Sequence, residues 1–269
     1  MNNANLDPAT VQALKIRQGV RLNWLFILTV ILALGVCAAW FTGFDIPALV
    51  TGSPHMWNLL KRMFPPDFGI VPNLYGPLIE TLQMALLGTI IPIFIAAPLA
   101  WLTAVNIRED HVLGNIVRLF LHVLRTIPEL LWAMLLVSAV GLGTFPGTLA
   151  LILHTTGSMG KFFYEAIEAV DPGVIEAMEA TGANRFKVIM FGIMPTVLPI
   201  YMSVVLLYWE FNNRAATILG LVGAGGIGLT MTHAIQDFEY DEAVTCIIAI
   251  VLILIIIDRI SNYLRSKVI

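Results

Sequence analysis

The chain has 269 residues, of which 58% are hydrophobic and 12% charged, with a formal net charge of −3 and a mean hydropathy of +0.84. A soluble domain is about half apolar and about a quarter charged. The composition therefore excludes an ordinary cytosolic enzyme and a disordered chain, and the missing basic footprint excludes a nucleic-acid binder. Cys37 and Cys246 both lie in apolar runs and form neither a disulfide framework nor a CxxC metal site. What remains is an all-α polytopic membrane protein.

A span needs roughly 20 predominantly apolar residues. There are six candidates in chain order: Leu22–Phe41, Thr81–Ala104, Ile127–Val140, Thr148–Tyr164, Pro199–Leu219 and Asp241–Ile257. Ile127–Val140 is short and borrows residues from the segment before it. With six spans and both termini inside, the inner segments hold Lys15, Arg17, Arg21, Arg108, Arg118, Arg125, Lys161, Arg185, Lys187, Arg259, Arg265 and Lys267. That is twelve of the 15 basic residues, as the positive-inside rule requires. The first span has a charged lead, but its apolar run of about 20 residues exceeds the 7–15 of a signal peptide. It reads as an uncleaved helix behind a short cytoplasmic arm, residues 1–14.

Segment 43–79 is the longest outer stretch. Within it His55–Phe64 has helical apolar spacing and Pro65-Pro66 ends it, which fits an amphipathic helix on the outer membrane surface. Two parts result: 1–79, with the arm, first helix and outer segment, and a core at 80–269.

Segment 165–195 is the most polar inner stretch. Asp171 can cap a helix and Pro172 suits its first turn. Gly182 suits a helix stop, and Asn184 can start a second helix running to Pro195. The expectation is helix–turn–helix.

Glu176, Ala177, Gly182 and Pro195 stand at the spacing of the EAA loop of binding-protein-dependent ABC importer permeases, and the segment resembles it. Met178, Gly192 and Met194 depart from that pattern. The resemblance implies a type I ABC importer permease fold of about six transmembrane helices, with this loop seated on an ATPase subunit. Val174, Ile175 and Met178 would then offer apolar contacts, Ala177 and Ala180 close approach, Gly182 the reversal, and Glu176 coupling. Three further runs look like the phosphonate branch of the family: Arg125–Trp132, Leu153–Gly157 followed by Gly160–Phe162, and Trp209–Gly228. Together the resemblance covers about residues 80–258. It implies transport of a phosphonate, phosphite or hypophosphite, with methionine or another small solute as the alternative cargo. It also implies a second permease copy, two ATPase subunits, and a periplasmic or extracellular binding protein, all at a bacterial inner membrane. ATP and Mg belong to the ATPase; this chain has no P-loop and binds no cofactor itself.

Ionisable groups inside a bilayer are costly, and they line a path or pair with each other. Glu210 and Arg214 share a helix face four residues apart, with Asn213 on that side. They read either as the wall of a translocation path or as an ion pair that fixes helix packing. Arginine suits phosphonate oxygens. Arg125 and Glu129 repeat the spacing around Pro128, and a break near Ile127 is expected because the residue before proline avoids helical geometry. Arg125 then sits at the inner mouth of a path or snorkels to the interface.

Gly223, Gly225, Gly226 and Gly228 match a dinucleotide fingerprint by letters, but they follow a membrane helix rather than a strand. They read as tight turns, and the resemblance places them beside an outer gate. The five histidines, at 55, 111, 122, 154 and 233, are scattered and make no metal site. His154 can touch a path but is not counted among the site residues. An intramembrane phosphatase using Glu210 or Glu129 is the rival class, and no metal or nucleophile constellation supports it.

Overall fold

Backbone polar groups cannot be left unpaired in lipid, so a spanning chain closes its hydrogen bonds within helices. The described chain follows that rule, with helix after helix and no strand among the described residues. The structure is a computed structural model describing residues 8–107 and 111–268, with side chains except at 8–23, 46, 49, 111 and 268. The arm at 1–7, Arg108, and the side chains of Lys15, Arg17, Arg21 and His111 lie outside the described residues.

The chain divides into two units, Met1–Asn58 and Leu59–Ile269. In the first, α1 (Pro8–Phe41) exposes Trp24, Phe26, Ile31 and Leu34 around its circumference. A helix apolar on all sides is a membrane span. Next, α2 (Ile46–Arg62) carries Pro54 inside it and ends on Lys61 and Arg62, two residues short of Phe64.

The second unit is built from α3 (Val71–Thr103), α4 (His111–Thr126), α5 (Glu129–Val140), α6 (Thr144–Glu168), α7 (Pro172–Ala180) and α8 (Arg185–Lys187). A π-helical turn, Val188–Ile193, leads into α9 (Met194–Leu219), followed by α10 (Gly226–Gln236) and α11 (Tyr240–Val268). Compared with the expected spans, α3 starts ten residues before Thr81, because its first turns are held by α10 and α11 rather than by lipid. Likewise α9 starts before Pro199, and Pro195 does not end a helix. A proline in a first turn costs no internal hydrogen bond, and the wider π turn before it absorbs the irregularity.

Four helical stretches are long and apolar enough to cross a membrane, and the α4–α5 pair makes five. That pair is bent by 84° at Ile127-Pro128. The break lies where the sequence places it, and it explains why Ile127–Val140 looked short. The remaining expected span, Thr148–Tyr164, falls inside α6 and is not apolar enough by that measure. The reason is its position. Packed by α3, α4, α5 and α9, it buries Thr155, Thr156, Gly157, Ser158, Met159 and Gly160 in succession. Small and hydroxyl residues permit close helix approach where dispersion, not hydrophobicity, drives packing.

One polar cluster pins this centre. Asn212 of α9 donates through Nδ2 to the Gly88 carbonyl at 3.0 Å and to Thr89 Oγ1 at 2.9 Å. Thr155 Oγ1 of α6 donates to Asn212 Oδ1 at 3.0 Å. Thr89 Oγ1 in turn donates to the Ala85 carbonyl at 2.7 Å. The Asn212 amide group thus has every heavy atom bonded, as a buried polar group must, and it ties three helices. Asn212→Ala is expected to lower stability by on the order of 2 kcal/mol, because several buried partners lose one group. The check is the thermal unfolding midpoint of the purified chain in detergent, which should fall.

Candidate translocation cleft and its two ends

Between α6 and α9 lies a cleft of about 210 Å³. Its walls are His154 and Phe162 from α6, and Leu207, Tyr208, Phe211, Glu210 and Arg214 from α9. The spacing of 207, 210, 211 and 214 along α9 puts one helical face into the cleft. The aromatic rings stand in sequence: His154 stacks on Phe211 with centroids 6.3 Å apart, Phe211 meets Tyr208 edge-on at 6.0 Å, and Tyr208 meets Phe162 at 6.1 Å.

Arg214 and Glu210 do pair, with Nη2 2.6 Å from Oε1. The same Nη2 also donates to Asp258 of α11, at 3.1 Å from Oδ2. The sequence reading missed Asp258, which stands just past the apolar run 241–257; an acid at the end of such a run was the available signal. One cation therefore faces two carboxylates, and the group bridges α9 to α11. Asn213 is placed elsewhere: it is 1% exposed, and its Nδ2 turns back to the Trp209 carbonyl at 2.7 Å.

Arg125 and Glu129 flank the α4–α5 break. His154 holds that break from α6: its Nδ1 is 3.1 Å from the Ile127 carbonyl, and its Nε2 is 3.7 Å from Glu129 Oε2. A carbonyl only accepts, so Nδ1 carries the hydrogen. Trp132 Nε1 also closes the break by donating to the Leu124 carbonyl at 3.2 Å.

At one end of α9 stands the loop resembling the EAA segment. Asp171 caps α7 by accepting from the Gly173 N–H at 2.9 Å, and Asn184 accepts from the Lys187 N–H at 3.0 Å. Gly182 reverses the chain at φ +77, in the left-handed region that costs other residues roughly 1–2 kcal/mol. Both caps and the reversal are where the sequence puts them. The faces sort differently. Ile175 and Met178 pack inward on the core around Val188 and Ile193, and Gly192 leaves room for Met178. Val174, Glu176, Ala177 and Ala180 remain exposed, with Gly182 and Pro195 exposed as well.

Beside this loop is a clasp that the sequence did not reveal. Arg118 of α4 binds Glu168 of α6 at 2.6 Å and lies 4.6 Å over the Tyr164 ring. Glu168 Oε1 also accepts from the Val105 N–H at 3.0 Å, and Asn106 Nδ2 donates to the Ile167 carbonyl at 2.7 Å.

At the other end of α9, about 39 Å away for its 26 residues at 1.5 Å each, is the glycine loop. Gly223, Gly225 and Gly226 have φ of 85, 78 and 70. Gly228 lies against the Thr217 and Gly220 backbone. The open N-terminus of α10 is capped by α3: Glu80 accepts from the Gly226 N–H at 3.1 Å and Thr81 Oγ1 from the Ile227 N–H at 3.0 Å. No local sequence pattern announces a cap that comes from 146 residues away.

A long apolar bundle, a broken helix and an amphipathic cleft between helices define a polytopic membrane protein. The profile described as binding-protein-dependent transport system inner membrane component matches residues 96–269. The chain is 36% identical over 255 residues to the phosphite transport system permease protein PtxC of Stutzerimonas stutzeri, covering 93% of each chain. It is 35% identical to the phosphate-import permease protein PhnE of Mycolicibacterium smegmatis, over 87% of this chain and 46% of that longer one. Among solved structures, the inward-facing MetNI methionine ABC transporter matches with a TM-score of 0.64 and 18% identity, over 76% of this chain and 99% of that chain. A bacterial ABC transporter that imports alginate matches at 0.58 and 15%, over 94% and 99%. These two likenesses are of fold. The protein has the fold of a type I ABC importer permease. It belongs to the family of binding-protein-dependent transport system inner membrane components, and ATP hydrolysis falls to a separate partner subunit.

Thr81→Val removes the hydroxyl that satisfies the buried Ile227 N–H. It is expected to cost about 1–3 kcal/mol, read as a lower unfolding midpoint, whereas Thr81→Ser should stay within about 0.5 kcal/mol of the parent.

Proposed function

We propose that this chain is the membrane-spanning subunit of an ATP-driven importer for phosphite or a related phosphorus oxyanion. The observation that carries the reading is the identity of 36% over 93% of both chains with a phosphite transport permease. Two copies enclose the path, two ATPase subunits holding ATP and Mg sit at the α7 end, and a periplasmic or extracellular binding protein delivers the anion at the glycine-loop end. Both termini are cytoplasmic. In support, the α7 end carries Arg118, Arg185, Lys187, Arg265 and Lys267, the bias expected of the inner face.

The residues divide the work. Val174, Glu176, Ala177 and Ala180 form the surface open to the ATPase, and Gly182 holds its angle. Ile175 and Met178 carry a push on that surface into the core. The Gly223–Gly228 loop, tied to α3 by Glu80 and Thr81, forms part of the outer gate. Arg125 and Glu129 stand at the inner mouth.

A strain lacking this gene, and supplied with the downstream enzymes, should lose growth on phosphite or on any of several phosphonates as sole phosphorus source while still growing on phosphate. Unchanged growth on all of them would overturn the substrate class. Gly182→Val should insert normally, by immunoblot of membranes, yet restore less than a tenth of the uptake; full uptake would remove the coupling role from this turn.

A further inference from the structure

The donors and acceptors left open in the cleft are fewer than its residues suggest. Arg214 uses only Nη2 for Glu210 and Asp258. Among the described residues, no hydrogen bond occupies its Nε or Nη1. Glu210 uses only Oε1, so Oε2 stands free as an acceptor in the same cleft. An anion arriving here meets open guanidinium N–H groups beside an open carboxylate oxygen. The local charge is one cation against two carboxylates, a net of −1 for Arg214, Glu210 and Asp258.

That combination discriminates by protonation. A carboxylate oxygen repels a bare anionic oxygen but accepts strongly from a P–OH group, because a hydrogen bond to a charged acceptor is about twice as strong as a neutral one. A fully ionised dianion meets the negative balance with nothing to give Oε2. A monoprotonated tetrahedral anion gives its hydroxyl to Glu210 and its charged oxygens to Arg214. The cleft of about 210 Å³ has room for five heavy atoms and several waters. The rings of Phe211 and Tyr208 limit its width.

We propose that the α6–α9 cleft is a station for a singly protonated phosphorus oxyanion, in which Arg214 is the donor and Glu210 is the acceptor that demands a P–OH hydrogen. The inference rests on the importer reading above and adds the form of anion that the permease itself accepts. Sulfate, which carries no proton near neutral pH, should be rejected at this step whatever the binding protein does.

The test uses the full chain in lipid nanodiscs, with phosphite binding followed by ³¹P line broadening. Phosphate should displace phosphite, and a tenfold excess of sulfate should not. Glu210→Gln keeps an oxygen for Arg214 and turns the free acceptor into a donor. It should weaken phosphite by about tenfold, the loss of one charge-assisted bond, and let sulfate compete. Arg214→Gln should weaken phosphite by more than tenfold, and Arg214→Lys should recover part of it; unfolding midpoints show that the variants are folded. Equal competition by sulfate in the parent, phosphite binding indifferent to Arg214→Gln, or no phosphite binding to the parent would each overturn the station. Cellular phosphite uptake separates the two levels. Uptake that needs the chain but ignores both substitutions overturns the station alone, whereas uptake that does not need the chain overturns the importer reading beneath it.

Discussion

A helix that lipid solvates poorly has to be surrounded by protein, and α6 imposes that condition on its neighbours. Its run from Thr155 to Gly160 is buried residue by residue, and its hydroxyl and glycine surface lets α3, α4, α5 and α9 approach closely. Asn212 then fixes the register of three of these helices through bonds that would be unsatisfied in any other arrangement. The cleft exists because α9 must spend one face on this packing. The opposite side of the same helix, two residues further along, is left for Arg214.

Much of this order can be read from local chemistry. Asp171, Gly182 and Asn184 mark the α7 loop because caps and reversals use side chains and φ values that belong to one or two residues. The break at Ile127-Pro128 is legible for the same reason. Glu210 and Arg214 pair as a four-residue spacing requires. The unread features are all contacts between distant segments. Asp258 reaches Arg214 from 44 residues away, Glu168 joins Arg118 from 50, and Glu80 caps α10 from another helix. The span at Thr148–Tyr164 is legible, but not that protein rather than lipid surrounds it, since apolar run length does not tell the two surroundings apart. Asn213 shows the converse limit: sharing a helix side with Glu210 does not bring a side chain into the cleft when a backbone carbonyl one turn away takes it first.

The electrostatics of the cleft follow from scarcity. In a chain that is 12% charged, an ionised group along a spanning helix is retained only where something answers it. Arg214 has two such answers, and it still holds donors in reserve. In the station proposed above the triad acts less as an anion trap than as a filter, because strong net attraction would hold a cargo that a transporter has to release. The clasp of Arg118, Glu168 and the Val105 N–H provides the complementary rigidity near α7.

The π turn Val188–Ile193 has one more consequence. Each residue added to a helix rotates the remainder of the rod by about 100°, so this turn sets the angular phase of α9 relative to α7. Asn212 and Arg214 differ by about 200° around that axis, and the one residue that a π turn holds beyond an α turn is worth about half of that angle. Winding the π turn into α-helical register would therefore act as a twist on the whole rod, moving polar side chains at its far end without any change in their own bonds to the helix. A wide turn of this kind gives the bundle a torsional joint, placed between the exposed α7 surface and the cleft face of α9.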